Sequence, residues 1–252
     1  MTAAEDAVRD RNRAAWNAER YAAWVEALGP PEVEAARLVA DPAHKLRRFA
    51  AHLGDVAGKR VCNIQGSHGR VAVALALQGA DVVVIDFAEE NQRYALELAA
   101  AAGVAIDYRL ADTIEAGELG LNGRFDLLVM ELGILHYHRD LLRFFTVMAG
   151  LAAEGGRLVL HDFHPVEGKL FQGAAGEAPD YFNDQLVIRD VPDPTGAGRS
   201  LGQCAIRRWT LGEIVTAAID AGWRIEALEE LPSWIDPRLP GSFTLRAVKT
   251  YA

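Results

Sequence analysis

The chain has two cysteines in 252 residues, Cys62 and Cys204, too few for a disulfide framework and without the CxxC pair a zinc or redox site would use. Both are expected to be inert thiols. No apolar run approaches the ~20 residues of a bilayer span, and the opening MTAAEDAVRDRNRAAW is charged and helix-forming, unlike a basic, apolar leader. A cytoplasmic protein away from membranes is expected. Basic residues are in the minority, 26 Lys+Arg against 35 Asp+Glu for a net charge of −9, and they form no stripe that would track a phosphate backbone. Nucleic acid is not an expected ligand. Internal repeats and low-complexity tracts are absent too.

What is present is a chain half apolar in composition and long enough to bury a full core. Residues 1–50 read as a helical cap of two or three helices, rich in Ala, Glu and Arg and punctuated at Gly29-Pro30-Pro31. Trp16, Tyr21 and Trp24 lie within it at near-helical spacing, which suits either core packing or a lid. From Lys59 the rhythm changes: RVCNI, the turn QGSHG, the helical VAVALALQGA and the strand DVVVIDF form a βαβ unit. A helix over Glu89 to Ala102, the strands VAIDYRL, FDLLVMEL and GRLVLHDF, and a helix around Asp140 to Leu151 continue the alternation. Continuous apolar strands alternating with helices predict a doubly wound parallel sheet covered on both faces, with residues 51–252 as its domain. Residues 166–208, rich in Gly, Pro and Asp without sustained periodicity, read as a long excursion over the sheet. Thr210 with Glu213 predicts a capping box, and RIEALEEL with FTLRAVK predicts a closing hairpin that sets one antiparallel strand at the sheet edge.

In an open parallel sheet, ligands bind outside the carboxyl ends of the strands. Gly66 and Gly69 after the first strand allow close backbone approach, and the next helix offers free N–H groups. The second strand ends on Asp86, an acceptor suited to both hydroxyls of a ribose, followed by Phe87, suited to flank a flat base. Asp112 ends the third strand, where a carboxylate suits an adenine amino group. Each acid alone reads equally well as a solvated strand end or a helix cap; together they predict an adenosine site. The fingerprint GxGxxG is missing, so a cofactor with adenosine but no phosphates fits better than NAD.

These residues, with FDLLVMELGILHYHRDL and EGGRLVLHDFHP, resemble the class I S-adenosylmethionine-dependent methyltransferases over about residues 55–250. RRWTLGEIVTAAIDAGWRIEALEELP, FTLRAVK and the N-terminal Asn12-Arg13-Ala14-Ala15-Trp16-Asn17 are similar to one bacterial branch of that family. The resemblance implies a Rossmann-like α/β fold with a seven-stranded sheet of order 3-2-1-4-5-7-6, strand 7 antiparallel. It also implies S-adenosylmethionine as cofactor and S-adenosylhomocysteine as product, with Gly66, Ser67 and Gly69 against the amino-acid part. Asp86 would hold the ribose, Asp112 and the adjoining Thr113 the adenine side, and Glu131, Leu132 and Gly133 would line the cofactor after strand 4. The common loop form DxGxGxG is replaced here by Asn63-Ile64-Gln65-Gly66-Ser67-His68-Gly69, with Asn63 at the usual acid and Ser67 at the central glycine.

Of seven histidines, His68, His136, His138, His161 and His164 fall at strand ends. A histidine beside the transferred methyl would deprotonate the acceptor, with His164 the first candidate base, oriented by Asp162, and His136 the second. Tyr21, Tyr137, His138, Arg139, His161 and Tyr181 are the candidate acceptor contacts, and Phe182 and Trp209 help to close a dry pocket. For each histidine the competing role is a structural hydrogen bond. The HxH and HDFH spacings are not diagnostic of a metal, and none is expected. The predicted function is methyl transfer to a small-molecule acceptor. The rival readings are an NAD-dependent oxidoreductase, for which no Tyr-x-x-x-Lys is found, and a cofactor-binding protein without transferase activity. A homodimer is the default assembly for a soluble enzyme.

Overall fold

Strand burial follows directly from the apolar runs. In β1 (Arg60–Ile64), β2 (Asp81–Asp86) and β4 (Phe125–Glu131) most residues are buried, and β5 (Ala152–Phe163) is buried along Leu158–Asp162. This is the pattern of strands covered on both faces. The computed structural model describes residues 3–171 and 179–250; positions 172–178 of the predicted excursion lie outside the described residues. With β3 (Asp107–Leu110), β8 (Trp223–Pro232) and β9 (Pro240–Lys249), these strands make a seven-stranded sheet of order β3-β2-β1-β4-β5-β9-β8. The fold is the Rossmann-like α/β arrangement expected. β1, β2 and β3 pair in parallel, as do β4 and β5, while β9 runs antiparallel to both β5 and β8.

This is the order 3-2-1-4-5-7-6 with an antiparallel seventh strand that the resemblance implies; the hairpin reading alone sets the antiparallel strand at the edge. β9 carries the buried run Gly241–Leu245 and lies inside the sheet, whereas β8 is largely open to solvent and takes the edge. The hairpin pattern predicts the pairing, and the order implied by the resemblance predicts β8 as the outer arm. The N-terminal segment also divides more finely than two or three helices, into α1 (Ala3–Trp16), α2 (Arg20–Leu28), α3 (Pro31–Ala40), α4 (Pro42–Leu46) and α5 (Ala50–Leu53). Pro31 and Pro42 each start a helix at the position where their missing N–H costs nothing. The excursion contains a two-stranded sheet of β6 (Leu186–Asp190) and β7 (Gln203–Arg207), too short and too rich in polar residues to announce itself by periodicity.

The helices α6 (Arg70–Leu77), α7 (Glu89–Ala101), α8 (Leu141–Leu151) and α9 (Leu211–Asp220) connect the strands. The Thr210 capping box forms on α9, with Glu213 N–H donating to Thr210 Oγ1 at 3.2 Å and Thr210 N–H donating to Glu213 Oε2 at 2.8 Å. Asp140 caps α8 in the same way through Arg143 N–H. Two compact units emerge. One takes in the chain up to Thr113 together with Val187–Ala205, and the other Ile114–Leu186 and the chain from Ile206 onward. Among the described residues no helix is long and apolar enough to cross a membrane, and both cysteines are buried free thiols whose burial pushes their pKa up.

Candidate functional site

In the first unit, the turn after β1 is held in a conformation side chains rarely adopt. Gln65, Ser67 and Gly69 have φ of 49°, 48° and 79°. A left-handed non-glycine residue costs about 1–2 kcal/mol, so two of them in one turn mark a loop held by its surroundings. Gln65 and Ser67 occupy the first and second glycine positions of the DxGxGxG form. Gly66 and Gly69 are obligatory for space: a Cβ at Gly66 would lie 2.6 Å from Asn63 Oδ1 and 2.7 Å from Val84 Cγ1, and at Gly69 2.5 Å from Ala95 Cβ.

Asp86 is the fastener of this loop. Its carboxylate accepts Ser67 N–H at 3.0 Å and Ala88 N–H at 2.9 Å. Burial raises its pKa to about 6; bonds from the Ala88 and Ser67 amides, the Asn91 side chain and the Phe87 amide pull the other way. The backbone carbonyl of Asp86 accepts Ala111 N–H at 3.1 Å, which brings the Asp112 turn to the same strand ends. Tyr108 on β3, not singled out from the sequence, donates its hydroxyl to the Ser67 carbonyl at 3.0 Å, and burial lifts its phenol well above the usual range. Thus Ser67, Asp86 and the Ala111–Thr113 segment form one network at the carboxyl ends of β1, β2 and β3. Buried polar atoms remain there: Gln65 Oε1 and Thr113 Oγ1 have no partner among the described residues. Such atoms ordinarily find a partner, so they fit a polar ligand beside the glycine cradle.

The N-terminal motif is built against this network. Asn12 is buried and bonds both ways to the backbone of Ala205 on β7, at 3.1 and 2.8 Å. Arg13 lies 6.0 Å over the Phe87 ring and Arg20 4.5 Å over Trp16. Asn17 Oδ1 accepts Glu89 N–H at 2.8 Å and so caps α7, the helix that leaves Asp86. Trp24 stacks on His68 at 4.2 Å and 16° and donates Nε1–H to Asn91 Oδ1 at 2.9 Å. Tyr21, a predicted acceptor contact, instead donates its hydroxyl to Glu97 and lies 4.0 Å beneath Arg93, on the outer side of α7.

In the second unit, Asp162 organises the turn after β4. Its carboxylate accepts the N–H groups of Gly133 at 2.7 Å, Ile134 at 3.2 Å, Leu135 at 3.0 Å and Phe163 at 2.8 Å. Leu132 at φ 47° and Gly133 at φ 85° turn the chain beneath it, next to Glu131. Asp162 thus orients a backbone, not the His164 ring. His164 is buried, accepts Val166 N–H on Nδ1 at 3.2 Å and meets Glu230 through Nε2 at 2.8 Å. With both nitrogens engaged it has no open lone pair, and burial lowers its pKa against the pull of Glu230.

The other histidines separate. His161 is fully buried within the sheet, its Nδ1 2.9 Å from Thr244 Oγ1. His138 is buried 4.3 Å from the Phe144 ring, and burial, with neighbouring His136, takes its pKa to about 3. His136 is half-exposed at a turn, 4.2 Å from the Tyr137 ring; burial lowers its pKa, Asp162 opposes this, and Arg208 adds to it. Arg139 is exposed. Tyr181 accepts Leu211 N–H at 3.1 Å, fixing the start of α9, and Trp209 donates to the carbonyls of Leu135 and His138 at 3.1 and 3.2 Å. Among the described residues no three His, Cys, Asp or Glu side chains gather as a metal-binding group.

Residues 63–160, from the glycine loop into β5, match the family model described as a methyltransferase domain. Over these residues the chain is similar to methyltransferase domains. Its solved neighbours share the fold at low identity. An S-adenosylmethionine-dependent methyltransferase from Mesorhizobium loti is 23% identical with a TM-score of 0.62, covering 84% of this chain and 100% of its own. One from Clostridium acetobutylicum is 13% identical with a TM-score of 0.63, covering 83% and 91%. The magnesium protoporphyrin IX methyltransferase of Synechocystis PCC 6803, solved with bound cofactor, is 18% identical with a TM-score of 0.59 and covers 99% of both chains. No curated protein matches the methyltransferase domain's chain.

Proposed function

We propose that this methyltransferase domain binds S-adenosylmethionine at the ends of β1, β2 and β3 and transfers its methyl group to a small-molecule acceptor. The observation that carries the reading is the tied network of Ser67, Asp86 and the Ala111–Thr113 segment around a glycine cradle that retains unpartnered polar atoms. In this assignment Gly66, Ser67 and Gly69 face the amino-acid part, Asp86 the ribose, and Phe87, Asp112 and Thr113 the adenine. Protein donors already crowd the Asp86 carboxylate, so a ribose hydroxyl shares an oxygen with a backbone amide instead of taking the whole group.

When bound, the cofactor supplies an activated methyl on a sulfonium, so positioning and exclusion of water carry much of the rate. The chain's task at the acceptor is to hold it and remove a proton. We assign that proton transfer to His136, which is half-exposed and kept neutral by burial and Arg208, while His164 serves the structure through Val166 and Glu230. Tyr137, whose ring lies 4.2 Å from His136, and the exposed Arg139 are the acceptor contacts this reading retains. A thermal-shift titration tests the cofactor class: S-adenosylhomocysteine at about 100 times Kd stabilises the fold by about 2.7 kcal/mol, whereas NADH leaves the melting temperature unchanged. The opposite pattern overturns the reading.

A further inference from the structure

Trp24 is a long way in sequence from any strand end, yet two of its contacts reach the glycine-loop network. Its indole covers His68 inside the loop, and its Nε1–H is spent on Asn91 Oδ1. An amide whose oxygen is tied in this way turns its NH2 group the other way, and the Asn91 side chain acts on the Asp86 carboxylate by favouring its ionised form. Asn91 is itself almost fully buried, so neither end of the amide is free to exchange with water. The helix bearing Asn91 is fixed at its start by Asn17 on Glu89 N–H and by Glu90 Oε2 accepting Tyr21 N–H at 3.1 Å.

We propose that Trp24 is a positioning residue for the cofactor carboxylate Asp86, acting through Asn91, so that helix α2 is a working part of the cofactor site. This rests on the reading that Asp86 holds the cofactor ribose. The indole N–H sets which way the Asn91 amide faces, the amide NH2 holds the carboxylate ionised and oriented, and the stack on His68 steadies the loop whose Ser67 N–H binds that same carboxylate. A packing role for Trp24 needs the ring but not the N–H, and this difference makes the two separable.

The test is the full chain carrying Trp24→Phe, which keeps a ring on His68 and removes only the donor, with Asn91→Leu and the double variant beside it. S-adenosylhomocysteine affinity is measured by calorimetry, and the Asp86 titration is followed by carboxyl NMR in the ligand-free protein. The charged and titratable groups facing that carboxylate's surroundings are Tyr108 on β3, His68 in the loop and Arg13 over Phe87; burial holds the first two neutral, and arginine does not titrate, so the midpoint reports Asp86. The expected result is a Kd about fivefold higher for Trp24→Phe with an Asp86 midpoint moved to higher pH, and a double variant no weaker than Asn91→Leu alone. Wild-type affinity with an unmoved midpoint in Trp24→Phe overturns the relay. Absence of binding by the wild-type protein overturns instead the cofactor reading on which the relay's purpose depends, even where the midpoint moves.

Discussion

Single residues in this chain do two jobs at once, and Asp86 is the clearest case. It fastens the glycine loop through Ser67 N–H and is also the proposed ribose contact, so Asp86→Ala lowers S-adenosylhomocysteine affinity by about 2 kcal/mol, read as a rise in Kd by calorimetry on a folded variant. Unchanged affinity would move the ribose elsewhere. The pH dependence has a fixed sign. Burial raises the folded pKa of Asp86 to about 6, and hydroxyl donors prefer the ionised form, so cofactor affinity is full above that pH and falls as the pH drops through it. In the ligand-free protein a raised carboxylate pKa acts oppositely on stability: its burial weighs against folding once the pH rises through the interval between the ordinary value and about 6, and not below it. At His136 and His164 the assignments part. His136→Ala leaves affinity for S-adenosylhomocysteine in place and slows transfer, while His164→Ala lowers the melting temperature by removing a buried ring with two partners; the reverse pattern would return the base to His164.

Elements show which parts of the fold a sequence announces. The apolar runs of β1, β2, β4 and β5 and the Thr210–Glu213 capping box were legible because each follows from local chemistry. Thr210→Ala is accordingly expected to cost about 1 kcal/mol, measured by denaturant unfolding. The position of β9 inside the sheet followed from the order the resemblance implies and not from pairing alone, since the neighbour is decided by which arm of the hairpin has two faces to bury. β6 and β7 were hidden because their strand residues alternate weakly and their turns dominate the composition. In the site, Asp86 and the glycine loop were readable from their places after strands. Tyr108 was not, being mid-strand, and neither was the role of Asp162, whose four backbone partners lie about thirty positions upstream or next to it. The exact meaning of the five strand-end histidines was likewise closed to sequence, because a ring's two nitrogens choose partners only in three dimensions: Thr244 for His161, Glu230 and Val166 for His164.

At the largest scale, the helical N-terminus and the strands β1, β2 and β3 belong to one compact unit, tied by side-chain bonds. Asn12, Asn17 and Trp24 each bond to groups on β7, α7 or the loop beside Asp86, within the same compact unit as β1, β2 and β3. The central claim is that this network holds an adenosine cofactor without phosphates. Calorimetric titration of the full chain with S-adenosylhomocysteine, with NADH as the parallel ligand, tests it most directly. The account predicts saturable binding of the first with one site per chain and no heat of binding from the second; binding of NADH in place of S-adenosylhomocysteine would contradict it.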